Sequence, residues 1–370
     1  MAGIYVHVPF CKQKCRYCDF VSFPEKIGLS ESYMACVYRE MAMRAPELKD
    51  YKFDTLYIGG GTPSVIDESY IAMLVAAAKK HYNLSKDAEI TIEMNPGTVS
   101  ASKIDLYKKV GINRFSVGLQ SANDKILSDL GRVHTLNQFI TCAKLLKGCN
   151  FSVHIMIGLK GQTLEDISQA IDVAALYGAS HISMYALTPE DGTPIYTDYL
   201  NGELPDSDEV AEQYAFGVKK LKELGFERYE VSNFCKKGRE SLHNLNYWRR
   251  GEYIGFGVSA SSHINNVRFT NTFDLDEYFK CIISNHFAII DRTEITPPEQ
   301  RDEYVMLAMR TAAGVDTVEY ERLFNLSFMQ EYASAIAKNR DYLNISDGRV
   351  SIKDEYLFVQ NTIIVDFLKA

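Results

Sequence analysis

Short apolar runs alternate with longer amphipathic runs from residue 4 to about residue 187. In the longer runs, such as 69–81 and 166–177, apolar residues recur at helical spacing. The short runs predict six β-strands, at residues 4–8, 55–58, 89–94, 114–117, 152–157 and 181–187. Strands that alternate with helices in this way are typical of βα units and a parallel sheet. The pattern therefore predicts an α/β fold, a partial TIM-like (βα)6 barrel.

The hydrophobic pattern changes twice after this region. Residues 188–290 are less regular, and we expect 226–290, which are rich in aromatic residues and histidine, to cover the mouth of the barrel. From about residue 295, two helical runs precede a segment in which Asp347-Gly348 predicts a hairpin turn between short strands. The predicted organisation is a barrel over 1–225, an extension over 226–290 and a smaller α+β domain of winged-helix type over 291–370.

Composition and charge indicate which partners and which compartment suit such a fold. Hydrophobic residues make up 46% of the chain, enough for a large buried core, and no run of about 18 apolar residues predicts a membrane helix. The formal net charge is −8, and residues 295–370 carry 8 Lys and Arg against 12 Asp and Glu. This balance argues against nucleic acid as a partner, even for a winged-helix shape. We expect a cytoplasmic protein without a transmembrane segment, for which peripheral membrane contact and oligomeric state are left open.

Three cysteines lie in one short loop after the first predicted strand. Cys11, Cys15 and Cys18 form a C-x3-C-x2-C pattern with an aromatic residue before the last cysteine, and the next cysteine is Cys36. Three thiolates for four irons leave one iron open, so the pattern predicts a [4Fe–4S] cluster whose open iron coordinates the amino and carboxylate groups of S-adenosylmethionine (SAM). On the residues alone, the alternatives are a zinc site completed by His7 or three unrelated thiols.

Polar or glycine-rich residues also follow the second, third and fourth predicted strands. The sequence GGGTP at 59–63 follows the second, Glu93 and Asn95 close the third, and Gln120 follows the fourth. In a parallel barrel, functional groups lie on the loops at the carboxyl ends of the strands. The sequence therefore predicts that these residues share one rim with the cysteines, where glycine lets the backbone approach a ligand closely.

These motifs resemble those of the radical SAM enzymes of the oxygen-independent coproporphyrinogen III oxidase family. The shared segments are CxxxCxYC, GGGTP, IEMNP at 92–96, SVGLQ at 116–120 and Arg132, and the similarity spans nearly the whole chain. The resemblance implies a SAM site lined by Tyr5, Tyr17, Gly60, Gly61, Thr62, Glu93, Gln120, Arg132 and His154. Glu93 would accept hydrogen bonds from SAM, and Arg132 would offer its guanidinium to a carboxylate. The chain departs from the family at His154, where aspartate is usual, and at Lys160, which replaces a proline.

Two further features resemble the HemW-type haem chaperones, which are related to these oxidases. Phe20 stands where the oxidases typically have another cysteine, and HNLNYW at 243–248 matches the HNxxYW motif associated with haem binding in those chaperones. The resemblance implies that His243 is an axial ligand of haem iron and that Tyr247 and Trp248 stack on a porphyrin face. On chemistry alone, the same motif also fits a hydrogen-bonded His–Asn corner with two core aromatic residues.

The function implied by this resemblance is that of a haem chaperone. It would use a [4Fe–4S] cluster, SAM and haem as cofactors and would deliver haem to haem-requiring proteins, respiratory ones among them. The alternative is an enzyme that converts coproporphyrinogen III to protoporphyrinogen IX by SAM-dependent oxidative decarboxylation, and a third candidate is a radical SAM enzyme that acts on haem. The sequence assigns no catalytic residue, because the same residues bind SAM whether or not it is cleaved.

Overall fold

One large sheet carries most of the chain in the computed structural model, which describes residues 2–368. Within these residues the strands are β1 (Ala2–Val8), β2 (Lys52–Gly60), β3 (Asn83–Met94), β4 (Arg114–Gln120), β5 (Asn150–Ile157), β6 (His181–Ala186), β7 (Glu227–Arg228), β8 (Asn233–Cys235), β9 (Glu252–Phe256), β10 (Ser261–Ile264), β11 (Val267–Asn271), β12 (Ile289–Glu294), β13 (Val315–Asp316), β14 (Leu343–Ser346) and β15 (Arg349–Ile352). The α-helices are α1 (Ser30–Arg44), α2 (Glu68–His81), α3 (Ala101–Val110), α4 (Asp124–Asp129), α5 (Leu136–Leu145), α6 (Leu164–Leu176), α7 (Pro194–Leu200), α8 (Ser207–Glu223), α9 (Leu242–Trp248), α10 (Leu275–Ile283), α11 (Pro297–Ala308), α12 (Thr317–Phe324), α13 (Phe328–Glu331), α14 (Ala333–Lys338) and α15 (Gln360–Phe367). None of these helices combines the length and apolar character needed to cross a bilayer.

The six predicted strands form the centre of this sheet. β1 to β6 pair in chain order, each parallel to the next. On the outer side of β1 the sheet continues with β9, and beyond β6 it continues with β8, so the described sheet is open. The predicted α/β fold with a partial barrel is confirmed, and β9 adds a parallel strand that the sequence pattern did not reveal.

Side chains alternate between the two faces of each central strand. In β1, Ile4, Val6 and Val8 are buried in the main hydrophobic core, together with side chains of the surrounding helices. Tyr5, between them, points to the inner face, where its ring lies 6.3 Å from that of Tyr57 on β2. A strand that looks continuously apolar therefore supplies polar or aromatic groups to the barrel interior at every second residue.

The segment 226–290 supplies further strands of the large sheet and helix α9. β9 pairs with β1, and β10, β11 and β12 continue the sheet outward. Helix α9 contacts the floor, our name for the amino-terminal ends of the parallel strands, where His243 is hydrogen-bonded to Thr55 near the start of β2. Without β9, the N–H and C=O groups along one edge of β1 would lack partners, which favours sheet extension. The predicted domain boundaries themselves stay predictions.

A second hydrophobic core lies in the C-terminal region, built from side chains of α11 to α15 and of a small sheet. That sheet has the order β13-β15-β14 and is antiparallel. The predicted hairpin turn is confirmed, because Asp347 and Gly348 have φ angles of 50° and 71°. Both angles are left-handed, as a two-residue type I′ turn requires. The order of helices and strands is that of the predicted winged-helix type.

Glu230 is a buried carboxyl where the two cores meet. It is 1% exposed and forms an isolated β-bridge with Thr311. Burial raises the pKa of Glu230 to about 7 from its usual 4.5. The folded state therefore holds the proton on Glu230 more tightly than the unfolded chain does. The stabilisation that comes from binding this proton is fully present below pH 4.5 and is lost as the pH rises to about 7. Through this group, the free energy of unfolding should fall by roughly 3 kcal/mol across that window.

Glu230→Gln should remove this part of the pH dependence, because the amide keeps the size of the side chain and does not titrate. Chemical denaturation near pH 4.5 and near pH 7 gives the free energy of unfolding of the unmodified protein and of Glu230→Gln. The change between the two pH values is then compared for the two proteins. An equal change in the free energy of unfolding for the two proteins would contradict the assignment.

Candidate functional site

The three clustered cysteines lie in the loop that follows the carboxyl end of β1. Cys11 is buried, Cys15 and Cys18 are half-buried, and all three are free thiols. The glycine loop after β2 packs against them: Thr62 Oγ1 lies 3.5 Å from Cys11 Sγ, and a Cβ on Gly61 would come within 3.0 Å of the same sulfur. Glycine at position 61 therefore allows the two loops to approach closely.

The donor set of this loop fits an iron–sulfur cluster. A [4Fe–4S] cluster with three protein ligands takes one thiolate at each of three separate irons. Among residues 2–368, no three His, Cys, Asp or Glu side chains converge on a single ion. Burial raises the pKa of Cys18 to about 11 and raises the pKa of Cys11 as well. Cys11 and Cys18 therefore keep their protons at neutral pH, and iron must displace those two protons on binding.

A cavity of about 510 Å³ opens beside these cysteines, a size typical of small-molecule sites. The predicted site residues that line it are Cys11, Cys15, Tyr17, Cys18, Gly60, Gly61, Thr62, Glu93, Gln120, Arg132 and His154. Phe20 lies at the same cavity with 62% of its surface exposed. The fold thus gathers residues from four strand ends, as the parallel arrangement predicts.

Glu93, at the end of β3, faces the cavity with two hydrogen bonds already made. The hydroxyl of Tyr57 donates to Oε1 at 2.6 Å, and the N–H of Gly60 donates to Oε2 at 3.1 Å. A Cβ on Gly59 would lie 3.0 Å from the carboxyl carbon, so glycine there makes room for the carboxylate. Burial raises the pKa of Glu93, while the two donors favour its charged form. Each carboxylate oxygen has a further lone pair with which it can accept a bond from a ligand.

Arg132 has a donor without a partner next to the cysteines. Its Nη2 donates to Gly118 O at 2.8 Å, and its Nη1 lies 3.4 Å from Tyr17 Oη and 3.6 Å from Cys15 Sγ. Its Nε is buried and has no partner among the described residues. Arg132 lines the cavity, so its guanidinium can form a charge-assisted hydrogen bond with a carboxylate bound there.

His154 on β5 lies in the cavity wall. Its Nε2 is 2.6 Å from Ser116 Oγ, and burial lowers its pKa to about 4, so the ring is neutral at pH 7. Nearby, the hydroxyl of Tyr185 donates to Gln120 Oε1 at 3.1 Å. Lys160, the second departure from the family pattern, does not line the cavity and forms an exposed ion pair.

Several cavity residues were not predicted as site residues, although Ser116 lies in the SVGLQ segment and Asn244 in the HNLNYW segment. Ser116, Ser183 and Tyr185 line the cavity from β4 and β6, and the alternation along those strands is a signal that could have found them. Asn233 and Asn244 line it from the 226–290 segment. No local pattern predicts that these two amides line the same cavity as the cysteines.

His243 lies on the floor, fully engaged by its neighbours. It is 1% exposed, its Nδ1 is 2.7 Å from Thr55 Oγ1, and its Nε2 is 2.8 Å from Tyr247 Oη. Its ring also stacks on Tyr57, with centroids 5.0 Å apart and an interplanar angle of 25°. Burial lowers the pKa of His243 to about 3, so the ring is neutral. Since both nitrogens are hydrogen-bonded, neither is free to bind iron in this conformation.

The other predicted residues also lie outside the cavity lining. Tyr5 Oη is 3.0 Å from His7 Nδ1 in the interior, and the Tyr247 ring meets His243 edge-on at 4.8 Å. Trp248 is half-buried at the end of α9. The structure therefore separates the predicted residues into a cavity group around the cysteines and an interior group that includes the floor.

A buried ion pair fastens α9 to the floor. Arg114 Nη1 lies 3.7 Å from Glu89 Oε2 and donates to the carbonyl oxygens of Arg239 and Glu240, just before the helix. Glu89 Oε1 accepts the backbone N–H of His243 at 3.0 Å. Both charged side chains are buried. The first turn of α9 is thus held by β3 and β4.

Comparison with known proteins agrees with this geometry. The family model described as the Radical SAM superfamily matches residues 5–174. The coproporphyrinogen III oxidase HemN of Escherichia coli, a radical SAM enzyme, superposes with a TM-score of 0.87 over 99% of this chain and 89% of that chain, at 18% identity. This likeness shows a common fold. The fold and the three-cysteine rim together define a radical SAM protein, a class whose cofactors are SAM and a [4Fe–4S] cluster.

Two curated relatives specify the family further. The protein named Heme chaperone HemW of Bacillus subtilis is 31% identical over 100% of this chain and 99% of its own length. The Heme chaperone HemW of Haemophilus influenzae is 38% identical over 98% of this chain and 91% of its own length. The chain belongs to the HemW family.

Proposed function

We propose that the protein is a haem chaperone that binds a [4Fe–4S] cluster, SAM and haem, and that it transfers haem to haem-requiring proteins, including respiratory ones. The observation that carries the proposal is its similarity, over the whole chain, to relatives named heme chaperones. The cavity supports the cluster and SAM, because it gathers three thiols, a carboxylate and a partly unpaired guanidinium.

The cavity residues have separate roles in this proposal. Cys11, Cys15 and Cys18 would ligate three irons, and the guanidinium of Arg132 would pair with the carboxylate of SAM. Glu93 would accept hydrogen bonds from SAM with the lone pairs that its two present donors leave free. When bound, the cluster supplies an electron next to the sulfonium of SAM.

Haem binding at the HNxxYW motif requires a rearrangement of the floor. The Nδ1 of His243 is held by Thr55 and its Nε2 by Tyr247, so one of these hydrogen bonds must break before the ring can ligate iron. The neutral state of the ring suits ligation, because imidazole binds metal without its second proton. Tyr247 and Trp248, at the end of α9, would then offer aromatic faces to the porphyrin.

His243→Ala should weaken haem binding by about tenfold or more, since loss of an iron ligand costs at least as much as loss of a group that supports a ligand. An absorbance titration with haem, on anaerobically purified protein with its cluster reconstituted, measures the change. The matched control is His286→Ala, which removes an exposed imidazole after α10 and should bind haem normally. An unchanged haem spectrum and affinity in His243→Ala would remove the basis for assigning this residue.

The same preparation tests the enzymatic alternative. Coproporphyrinogen III is incubated with the reconstituted protein, SAM and a reductant, and protoporphyrinogen is measured. The likeness in fold to HemN motivates this assay. Turnover would identify a decarboxylating enzyme and contradict a carrier role alone.

The proposed setting of the protein follows from its charge and composition. We place it in the cytoplasm, with SAM, haem and haem-accepting proteins as partners. Its net charge of −8 argues against nucleic acid as a partner. A respiratory acceptor protein would bring it into peripheral contact with a membrane.

A further inference from the structure

Tyr57 joins the cavity to the floor by direct contacts on both sides. Its hydroxyl donates to Glu93 Oε1 at 2.6 Å, and Glu93 lines the cavity. Its ring stacks on His243 at 5.0 Å, and His243 lies on the floor. Along β2, Tyr57 stands between Thr55, which bonds His243, and Gly59, which makes room for Glu93. One side chain thus touches a proposed SAM residue and the proposed haem ligand.

The contacts at both ends of Tyr57 are tight. A Cβ on Gly3 would come within 3.0 Å of the His243 ring, so glycine at this position lets β1 pack directly against the ring. A Cβ on Gly59 would meet the Tyr57 ring at 2.8 Å and the Glu93 carboxyl at 3.0 Å. In an interior packed this closely, the Tyr57 ring cannot move without changing its contacts with His243 and Glu93.

We propose that Tyr57 is a positioning residue shared by the two sites: its hydroxyl orients Glu93 toward SAM, its ring holds His243 on the floor, and SAM binding therefore promotes haem binding. The proposal rests on the proposed role of His243 in haem ligation. A SAM group that donates to Glu93 shares the carboxylate charge and weakens the bond from Tyr57. Once the bond from Tyr57 is weakened, less free energy is needed to move His243 away from Thr55 and Tyr247. By linkage, haem must raise the affinity for SAM by the same factor.

The experiment measures haem affinity with and without SAM, by absorbance titration of the anaerobically reconstituted protein. In the unmodified protein, SAM should lower the Kd for haem by about fivefold or more, the usual lower range of coupling between sites. Tyr57→Phe keeps the ring and lacks the hydroxyl, so it should bind haem more tightly without SAM. In this variant SAM should change the Kd by less than about twofold. If Tyr57 had only a structural role, Tyr57→Phe would alter the haem affinity equally with and without SAM, and the ratio of these two affinities would stay unchanged.

Tyr82→Phe is the matched control. It removes another buried hydroxyl, which donates to Met41 O at 2.7 Å in the main core, outside both sites. In this variant, the ratio of the haem Kd without SAM to the haem Kd with SAM should equal that of the unmodified protein. The reverse titration, SAM affinity with and without haem, gives the same factor in the unmodified protein and requires no variant.

The outcomes separate this inference from the function on which it rests. If the unmodified protein binds both ligands and its haem affinity does not change with SAM, the coupling through Tyr57 is wrong and the chaperone proposal stands. A ratio in Tyr57→Phe equal to that of the unmodified protein also overturns the inference. If the unmodified protein does not bind haem at all, the proposed function fails, and the inference fails with it.

Discussion

Replacing any one of Cys11, Cys15 and Cys18 with alanine is expected to abolish the iron–sulfur absorbance of the reconstituted protein. Each thiolate would hold a different iron, so the loss of one leaves two corners of the cluster without protein ligands. The next cysteine in the chain, Cys36, is on α1 and does not line the cavity. Iron and sulfide analysis together with absorbance after anaerobic reconstitution measures the loss.

Cys281→Ala is the control for these variants. Cys281 is a half-buried free thiol on α10 and lies outside the cavity lining, so its replacement should leave the cluster content unchanged. If the protein kept its full cluster content after Cys11, Cys15 and Cys18 were all replaced by alanine, the cluster site and the SAM pocket built on it would both be refuted.

Arg114→Met is expected to lower the free energy of unfolding by about 3–5 kcal/mol, because it leaves the buried carboxylate of Glu89 without its cation. It also removes the donors to the carbonyl oxygens of Arg239 and Glu240, which hold the entry to α9. Chemical denaturation monitored by circular dichroism gives the free energy of unfolding.

A double-mutant cycle separates the ion pair from simple loss of packing. Glu89→Gln combined with Arg114→Met should recover part of the loss, since no unpaired charge is then buried. Arg322→Met is the control, because the ion pair of Arg322 with Glu319 is exposed and its loss should leave the denaturation midpoint unchanged. A loss below about 1 kcal/mol for Arg114→Met, the range of a surface pair, would show that the pair does not fasten α9.

The central strands could be predicted because their signal is local. Each of the six predicted runs lies almost wholly within an observed strand, since apolar side chains in short runs bounded by helices mark a buried parallel strand. The largest difference in bounds is at β3, which begins at Asn83 instead of residue 89. Residues 83–88 are mostly polar, and they are in the strand because Asn83 and Leu84 pair with Lys52 and Phe53 on β2.

The cavity could be predicted to a similar degree, because its residues follow the ends of parallel strands. Glu93, Gln120 and Arg132 come from different parts of the chain and line the same cavity as the cysteines. The position of His243 could not be predicted in this way. Its motif indicates which residue types are present, but its hydrogen-bond partner Thr55 lies 188 residues away in the chain.

The sequence by itself determined the order of the six central strands and the helices between them, the rim on which the cysteines lie and the hairpin at Asp347-Gly348. These features depend on side-chain periodicity, on strand ends and on turn residues, all of which act over a few neighbouring positions. Only the tertiary structure decided that 226–290 extends the sheet and closes its floor, and that Tyr57 lies between Glu93 and His243. The reason is that β9 pairs with β1, and Arg114 and Glu89 hold α9, through contacts between residues that are far apart in the chain.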